Sequence, residues 1–177
     1  DVKYQVIHAV EFGVPQKRER VIIVGFRKDL NVKFDFPEAV INSPEKYVPL
    51  SEVIDSDVDG KYYFSQKAVD GMMRNRKSMN KGRAQNIDEP CNTVGAHLAK
   101  VSLNSTDPVL MVDNRYRRFT PREVARIQSF PESFKLTESE HAQYKALGNA
   151  IPPVMFWYIM KSVESSLNSE ENSLCDL

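Results

Sequence analysis

Apolar and polar positions alternate loosely from Tyr4 to Val10, and Val21, Ile22, Ile23 and Val24 follow as an unbroken β-branched run. The first pattern predicts a strand over 4–10. The second predicts a strand over 21–26, covered on both faces because no polar position interrupts it. Too few residues separate them for a crossover helix, so they are expected to be antiparallel neighbours. Two strands do not stand alone as a sheet, which puts the missing partners later in the chain or on another chain. Residues 31–49 read as loop, punctuated by Pro37, Pro44 and Pro49. A short helix is expected over 51–54. A longer one should follow Ser65 as N-cap, with Ala68, Val69, Met72 and Met73 at helical spacing as core filler.

Residues 78–85 are polar, basic and broken by Gly82, and without periodicity they read as an exposed loop. Short strands are predicted at 92–94, 99–103, 109–112 and 116–119, an irregular β-rich region whose loops suit recognition. Thr120-Pro121-Arg122-Glu123 is a helix start, with Thr as N-cap, Pro first in the helix and Glu placed to close a capping box. Phe130-Pro131 ends that helix. Thr137 with Glu140 repeats the capping pattern for a helix expected to reach Leu147 and stop at Gly148-Asn149 as a C-cap pair. Pro152 and Pro153 suit the first turn of a last helix from 154 to about 167, with Phe156, Ile159, Met160 and Val163 as its apolar face. The tail from Asn168 is expected to fray.

The 24 basic and 24 acidic side chains cancel, so no overall charge advertises nucleic acid. Locally, the stretch from Arg74 to Arg126 is basic between acidic flanks, which is either a phosphate-facing surface or a solvated face. Cys91 and Cys175 lie far apart, giving neither a disulfide framework nor a zinc spacing, and reduced thiols are expected. His8, His97 and His141 show no ligand or triad spacing, so no metal is expected. No signal, transit or membrane-length segment is found, and a soluble cytoplasmic protein is expected. Asp1 opens what reads as a strand, so the chain is expected to be a piece of something longer. The basic tip before the β-branched run carries candidate chemistry. If the chain is extended from Gln16, then Gln16, Arg18 and Arg20 share one side and Lys17 and Glu19 the other. Guanidinium forks suit carboxylate, phosphate or a base edge. Taken alone, the residues favour a solvated strand end with alternating charges, and other parts of the chain must change that reading.

Three stretches in order resemble the C-terminal half of a DNA (cytosine-5)-methyltransferase. Phe12-Gly13-Val14-Pro15-Gln16-Lys17-Arg18-Glu19-Arg20 is similar to the family's Gln-x-Arg-x-Arg motif. Arg117-Arg118-Phe119-Thr120-Pro121-Arg122-Glu123-Val124-Ala125-Arg126-Ile127-Gln128-Ser129-Phe130-Pro131 resembles the motif closing its target-recognition region. Tyr144-Lys145-Ala146-Leu147-Gly148-Asn149-Ala150-Ile151-Pro152-Pro153 resembles its final Gly-Asn-x-x-Pro motif. The resemblance implies an α/β fold overall: a fragment of a Rossmann-like methyltransferase domain, with two strands and a C-terminal helix, plus an irregular β-rich target-recognition domain with short helices. It divides the chain into catalytic-domain strands at 1–33, a target-recognition domain at 34–134 and a hinge helix at 135–147. Residues 148–168 return to the catalytic domain, where the last helix would pack on the cofactor-binding sheet, and 169–177 form a tail.

In this family a cytosine is flipped out of double-stranded DNA, a Cys thiolate adds to carbon 6, and carbon 5 takes the methyl group of S-adenosylmethionine. The resemblance implies that Arg20 holds the flipped pyrimidine's carbonyl oxygen, that Arg18 contacts the flanking phosphate or the catalytic loop, and that Gln16 shapes the same face. Gly148, Asn149 and Ala150 would line the methyl-donor pocket. DNA reading would fall to Lys81, Arg83, Gln85, Thr93, His97 and Lys100, with a DNA contact and a structural role both open for His97. A bacterial restriction-modification setting is implied. The family's Gly-rich cofactor loop, its Pro-Cys loop ahead of Gln16 and its Glu-Asn-Val segment are missing from the chain. An N-terminal catalytic half, on the same polypeptide or as a separate subunit, is therefore an expected partner, and this chain alone is expected to be inactive. Pro90-Cys91 lies after the Arg motif, and Cys91 is not expected to be the nucleophile. With the other half missing, Arg18 and Arg20 are both expected to sit exposed. The alternative, from another class, is a non-catalytic DNA-binding remnant.

Overall fold

The computed structural model describes residues 1–74, 84–100, 107–136 and 139–174. The chain opens with β1 (Val2–His8), β2 (Gln16–Lys17) and β3 (Glu19–Gly25). β1 and β3 pair antiparallel, as expected, with Tyr4 opposite Ile23 and Val6 opposite Val21. A 3-10 turn at Ala9–Phe12 closes on Gly13, whose φ of 78° lies where a Cβ is disfavoured. The expected covering of the second strand on both faces is not found. Ile22 and Val24 face a cluster built from Ile7, Ala9, Phe12, Val14, Met155 and Ile159, while Val21 and Ile23 are 60% and 69% exposed. Side chains alternate across a strand, and among the described residues one layer packs on the hairpin, so the other set is left exposed.

β2 turns away from that hairpin and pairs in parallel with β4 (Cys91–Asn92), joining the start of the chain to the middle region. The short helix expected at 51–54 is a 3-10 turn at Leu50–Glu52. α1 (Gln66–Arg74) follows Ser65, whose Oγ accepts from the Ala68 N–H at 3.3 Å. The side chains of Met72 and Met73 lie outside the described residues. β5 (Leu110–Val112) and β6 (Arg115–Arg117) form a second antiparallel hairpin. The strand expected at 99–103 is not one at its start, because Ala99 lies in a 3-10 turn at Leu98–Lys100; residues 101–103 lie outside the described residues.

α2 (Pro121–Ile127) has the expected capping box, with the Glu123 N–H donating to Thr120 Oγ1 at 3.1 Å and the Thr120 N–H to Glu123 Oε2 at 2.7 Å. α3 (Glu140–Asn149) is capped by Ser139, which accepts from the Ala142 N–H at 3.4 Å, and not by Thr137, which lies outside the described residues. Gly148 and Asn149 are not a left-handed cap pair. Both belong to the helix, and its cap is Ala150 in extended backbone. α4 (Pro153–Leu174) runs past the expected end because no Gly or Pro interrupts residues 168–174, so the tail expected to fray is helical through Leu174. Its buried side is set by Met155 and Ile159, four apart over the first hairpin, whereas Phe156 and Met160 of the expected apolar face are exposed. A second cluster, including Leu50, Val94, Leu98, Leu110, Phe119, Ile127, Tyr144 and Leu147, forms the core of the middle region.

Candidate functional site

The tip around Gln16 is a buried polar node. Gln16 is fully buried, and its Nε2 donates to Gln128 Oε1 at 3.0 Å and to the Ile127 carbonyl at 3.4 Å. Its Oε1 accepts from the Val94 N–H at 3.0 Å, so one amide ties β2 to the end of α2 and to the segment after β4. Gln128, also fully buried, donates onward to the Leu147 carbonyl at 2.5 Å. A buried amide is stable only with both ends satisfied, and this pair meets that condition across four segments of chain.

Arg18 extends the node. Its guanidinium donates to the carbonyls of Val94 at 3.2 Å, Gly148 at 3.3 Å and Ala150 at 3.1 Å, while its Nε has no partner among the described residues. Arg18 is 4% exposed, which overturns the expectation that both arginines lie open. The cause is non-local: three backbone carbonyls from distant segments converge on the fork and replace water. Burial, and secondarily the like charge of Arg20, lowers its pKa to about 10. Arg20 behaves as expected. It is exposed, donates to the Glu19 carbonyl at 2.6 Å, and has no carboxylate partner among the described residues.

Gly148 is buried, and a Cβ there would overlap the backbone of Gly95 and Ala96, so the last turn of α3 rests directly on the segment after β4. The Ala150 carbonyl belongs to Arg18, and Asn149 between them is exposed with no side-chain partner among the described residues. Of the residues expected to read DNA, Thr93 is exposed and donates through Oγ1 to the Lys17 carbonyl at 2.7 Å, and His97 is exposed. Gln85 accepts from the Asn92 N–H at 2.9 Å and so braces β4. Lys100 ends a 3-10 turn with its side chain outside the described residues, as are Lys81 and Arg83 entirely.

The basic stretch resolves into neither of its two readings where it is described. Arg117 and Glu123 are fully buried and joined at 2.7 and 2.9 Å, Arg126 pairs with Asp55 and Glu132, and Arg115 lies 4.1 Å over the Tyr63 ring. These cations hold the fold together. Cys91 is buried in the core, and burial pushes its thiol pKa up, away from a reactive thiolate. No cluster of His, Cys, Asp or Glu suited to a metal occurs among the described residues. Two node members were missed in the sequence. Gln128 lay inside a quoted motif without a role, and Gly95 carried no local signal because only its contact with Gly148 makes it matter.

Comparison with known proteins fits this geometry to a family. Residues 1–165 match the C-5 cytosine-specific DNA methylase family. The type II methyltransferase M.FnuDI of Fusobacterium nucleatum is 32% identical over 97% of this chain and 57% of its own length. M.AplI of Arthrospira platensis is 32% identical over 99% of this chain and 51% of its own. Among solved structures, the Entamoeba histolytica methyltransferase EhMeth superposes with a TM-score of 0.68 at 17% identity, over 94% of this chain and 54% of that one. The S. pombe Dnmt2 methyltransferase gives 0.67 at 18% identity, over 95% and 57%. The chain spans about half the length of the curated relatives it matches. With the Gln16–Arg18 node, the capped α2 and the Gly148 turn all falling inside the matched span, the chain belongs to the C-5 cytosine-specific DNA methylase family.

Proposed function

We propose that the chain is the C-terminal, target-recognising portion of a DNA (cytosine-5)-methyltransferase of restriction-modification type, acting on a cytosine flipped out of double-stranded DNA. The observation that carries this reading is the division of labour at the node. The Gln16 amide and the terminal nitrogens of Arg18 donate within the chain itself, and Arg20 and Asn149 are left exposed beside them. A guanidinium at a strand end with no carboxylate partner suits the carbonyl oxygen of an extrahelical pyrimidine and opposes charge build-up on its ring. Arg18 acts there as a positioning residue, fixing the backbone on which its neighbour stands, and does not reach a phosphate.

The same geometry is compatible with S-adenosylmethionine, which when bound supplies an electrophilic methyl group. The carbonyls of Gly148 and Ala150 are pinned by Arg18, so Asn149 presents its amide from a fixed turn and would hold polar atoms of the donor. Gly148 and Ala150 would shape that turn without contacting the donor. Among the described residues of the recognition set, Thr93 and His97 are exposed, and Gln85 would support them by bracing β4. The division into 1–33 and 148–168 on one side and 34–134 on the other draws support from the two separate hydrophobic clusters, except that Phe36 packs with the hairpin's cluster, and the proposed hinge helix at 135–147 sends Tyr144 and Leu147 into the middle cluster, so it would move with that side. The nucleophile and the principal donor loop would come from the part of the enzyme that corresponds to the unmatched length of the relatives.

Mixing this chain with the unmatched half of the Fusobacterium nucleatum relative and radiolabelled S-adenosylmethionine is expected to label cytosine in double-stranded DNA, while either piece alone leaves it unlabelled. Arg20→Ala in the mixture is expected to lower turnover by about 100- to 1,000-fold. No label under any mixing condition, or an unaltered rate with Arg20→Ala, overturns the reading.

A further inference from the structure

The turn between α3 and α4, residues 148–152, carries Asn149 and borrows its anchors from elsewhere in the chain. The Phe156 N–H donates to the Pro152 carbonyl at 3.1 Å, which makes Pro152 the N-cap of α4, a position where a side-chain acceptor is wanted and proline has none. Pro153 has no N–H, so the first donor of the helix in want of a partner is that of Val154. Ser129, at the end of α2, supplies it: its Oγ accepts from the Val154 N–H at 3.2 Å. The exit of α2 is a Schellman turn, with the Phe130 N–H donating to the Ala125 carbonyl at 2.9 Å and the Ser129 N–H to the Arg126 carbonyl at 2.8 Å. Ser129 sits in it at a φ of 64°, where glycine is usual because a Cβ crowds the following carbonyl. The turn itself has no use for serine. A side chain kept at a strained backbone position points to a use for the side chain, and here the hydroxyl reaches α4.

We propose that the exit of α2, Gln128 and Ser129, is a positioning clamp on the donor turn, fixing Asn149 relative to Arg20 while touching neither donor nor DNA. The inference rests on the proposed methyltransferase reading and adds two positioning residues to it. Gln128 holds the entry to the turn, its Nε2 donating to the Leu147 carbonyl at 2.5 Å. Ser129 holds the exit through Val154, and between them Arg18 takes the carbonyls of Gly148 and Ala150. Asn149 is left exposed on a turn gripped at both ends and in the middle. The same Gln128 amide accepts from Gln16 at 3.0 Å, on the stretch that leads to Arg20, so one side chain ties the donor turn to the strand that presents the guanidinium. Both clamp residues lie at one helix end, and neither carries a polar group toward the exposed side chains it serves. Their effect on the reaction therefore passes through the backbone they hold.

The test uses the full chain as wild type, Ser129→Gly and Gln128→Met. Glycine relieves the left-handed backbone while deleting the hydroxyl, so Ser129→Gly is expected to keep the wild-type urea midpoint and still loosen the turn. Amide exchange at 149–151 and 154 should run about 10-fold faster in that variant, the local opening expected for one lost hydrogen bond, with exchange in α2 and β1 unaltered. Gln128→Met preserves side-chain length, removes both amide bonds and should loosen 149–151 in the same way; if it does not fold, Ser129→Gly carries the test alone. In the mixture with the unmatched half of the Fusobacterium nucleatum relative, Ser129→Gly is expected to raise the KM for S-adenosylmethionine about 10-fold and to change kcat less, because the clamp acts on the donor's contact. Unaltered exchange at the turn, exchange raised equally throughout the chain, or a looser turn with unchanged KM overturns the inference. A wild-type mixture that never methylates DNA overturns the proposed activity, and the clamp then stands or falls by the exchange alone.

Discussion

Gly148 shows how a single residue takes its meaning from a distant one. Within a helix, alanine is favoured over glycine by about 1 kcal/mol. Here the added Cβ would meet backbone of Gly95 and Ala96, which cannot rotate away, and overpacking of that kind costs about 1–3 kcal/mol. Gly148→Ala is therefore expected to lower the urea midpoint of unfolding, whereas Gly95→Ala, whose Cβ among the described residues would meet Asp107 Oδ1 at an ordinary 3.5 Å, is expected to leave it nearly unchanged. Equal midpoints for the two variants would show that the close approach is not needed. Arg18 makes the same point. Alternation along an extended tip correctly grouped it with Gln16, but its burial depends on carbonyls of Val94, Gly148 and Ala150, which no local pattern in the chain brings near it.

At the scale of elements, α2 is the most self-contained piece of the fold. Thr120, Pro121 and Glu123 satisfy the first turn among themselves, and Glu123 in addition accepts from the Asp55 N–H at 2.8 Å and pairs with buried Arg117. Thr120→Ala removes one bond of the box and is expected to destabilise the chain by about 1 kcal/mol, with Thr120→Ser retaining most of it. Equilibrium unfolding of both variants checks this, and a loss shared equally by alanine and serine would assign the effect to the lost methyl. α4 is the opposite case. Its existence follows from Pro152-Pro153 and the apolar content beyond, but its inward side is chosen by the hairpin it meets, which is why Met155 is buried and Phe156 is not.

Across the whole molecule, one ionic cluster joins the middle region to α3. Glu140 accepts from Lys61 Nζ at 2.5 Å and from the Tyr62 hydroxyl at 2.6 Å. These bonds, the Lys61 one first, hold its carboxyl below the ordinary carboxylate range. A carboxyl depressed in the folded state contributes stability that is present above its unfolded pKa and is lost as pH falls through the folded value. The wild-type melting temperature is thus expected to drop between about pH 5 and pH 3. Glu140→Gln should begin lower at neutral pH and fall less steeply over the same interval. Parallel curves for the two proteins would remove Glu140 from the acid response.

What the sequence alone determined is whatever depends on near neighbours: the antiparallel hairpin, the Thr120 capping box, the Ser65 helix start and the ordered motifs that resemble a methyltransferase. The caps rest on residues within a few positions of one another, and the hairpin and the motifs on patterns each written within a single short stretch, where steric and hydrogen-bonding rules act without knowledge of the rest. Only the tertiary structure decided which face of β3 is covered, where α3 is capped, which stripe of α4 is inward, and that Arg18 is enclosed while Arg20 stays open. Those outcomes depend on which layer packs against which. Burial is a property of the pair in contact, and half of each such pair lies far away in the chain.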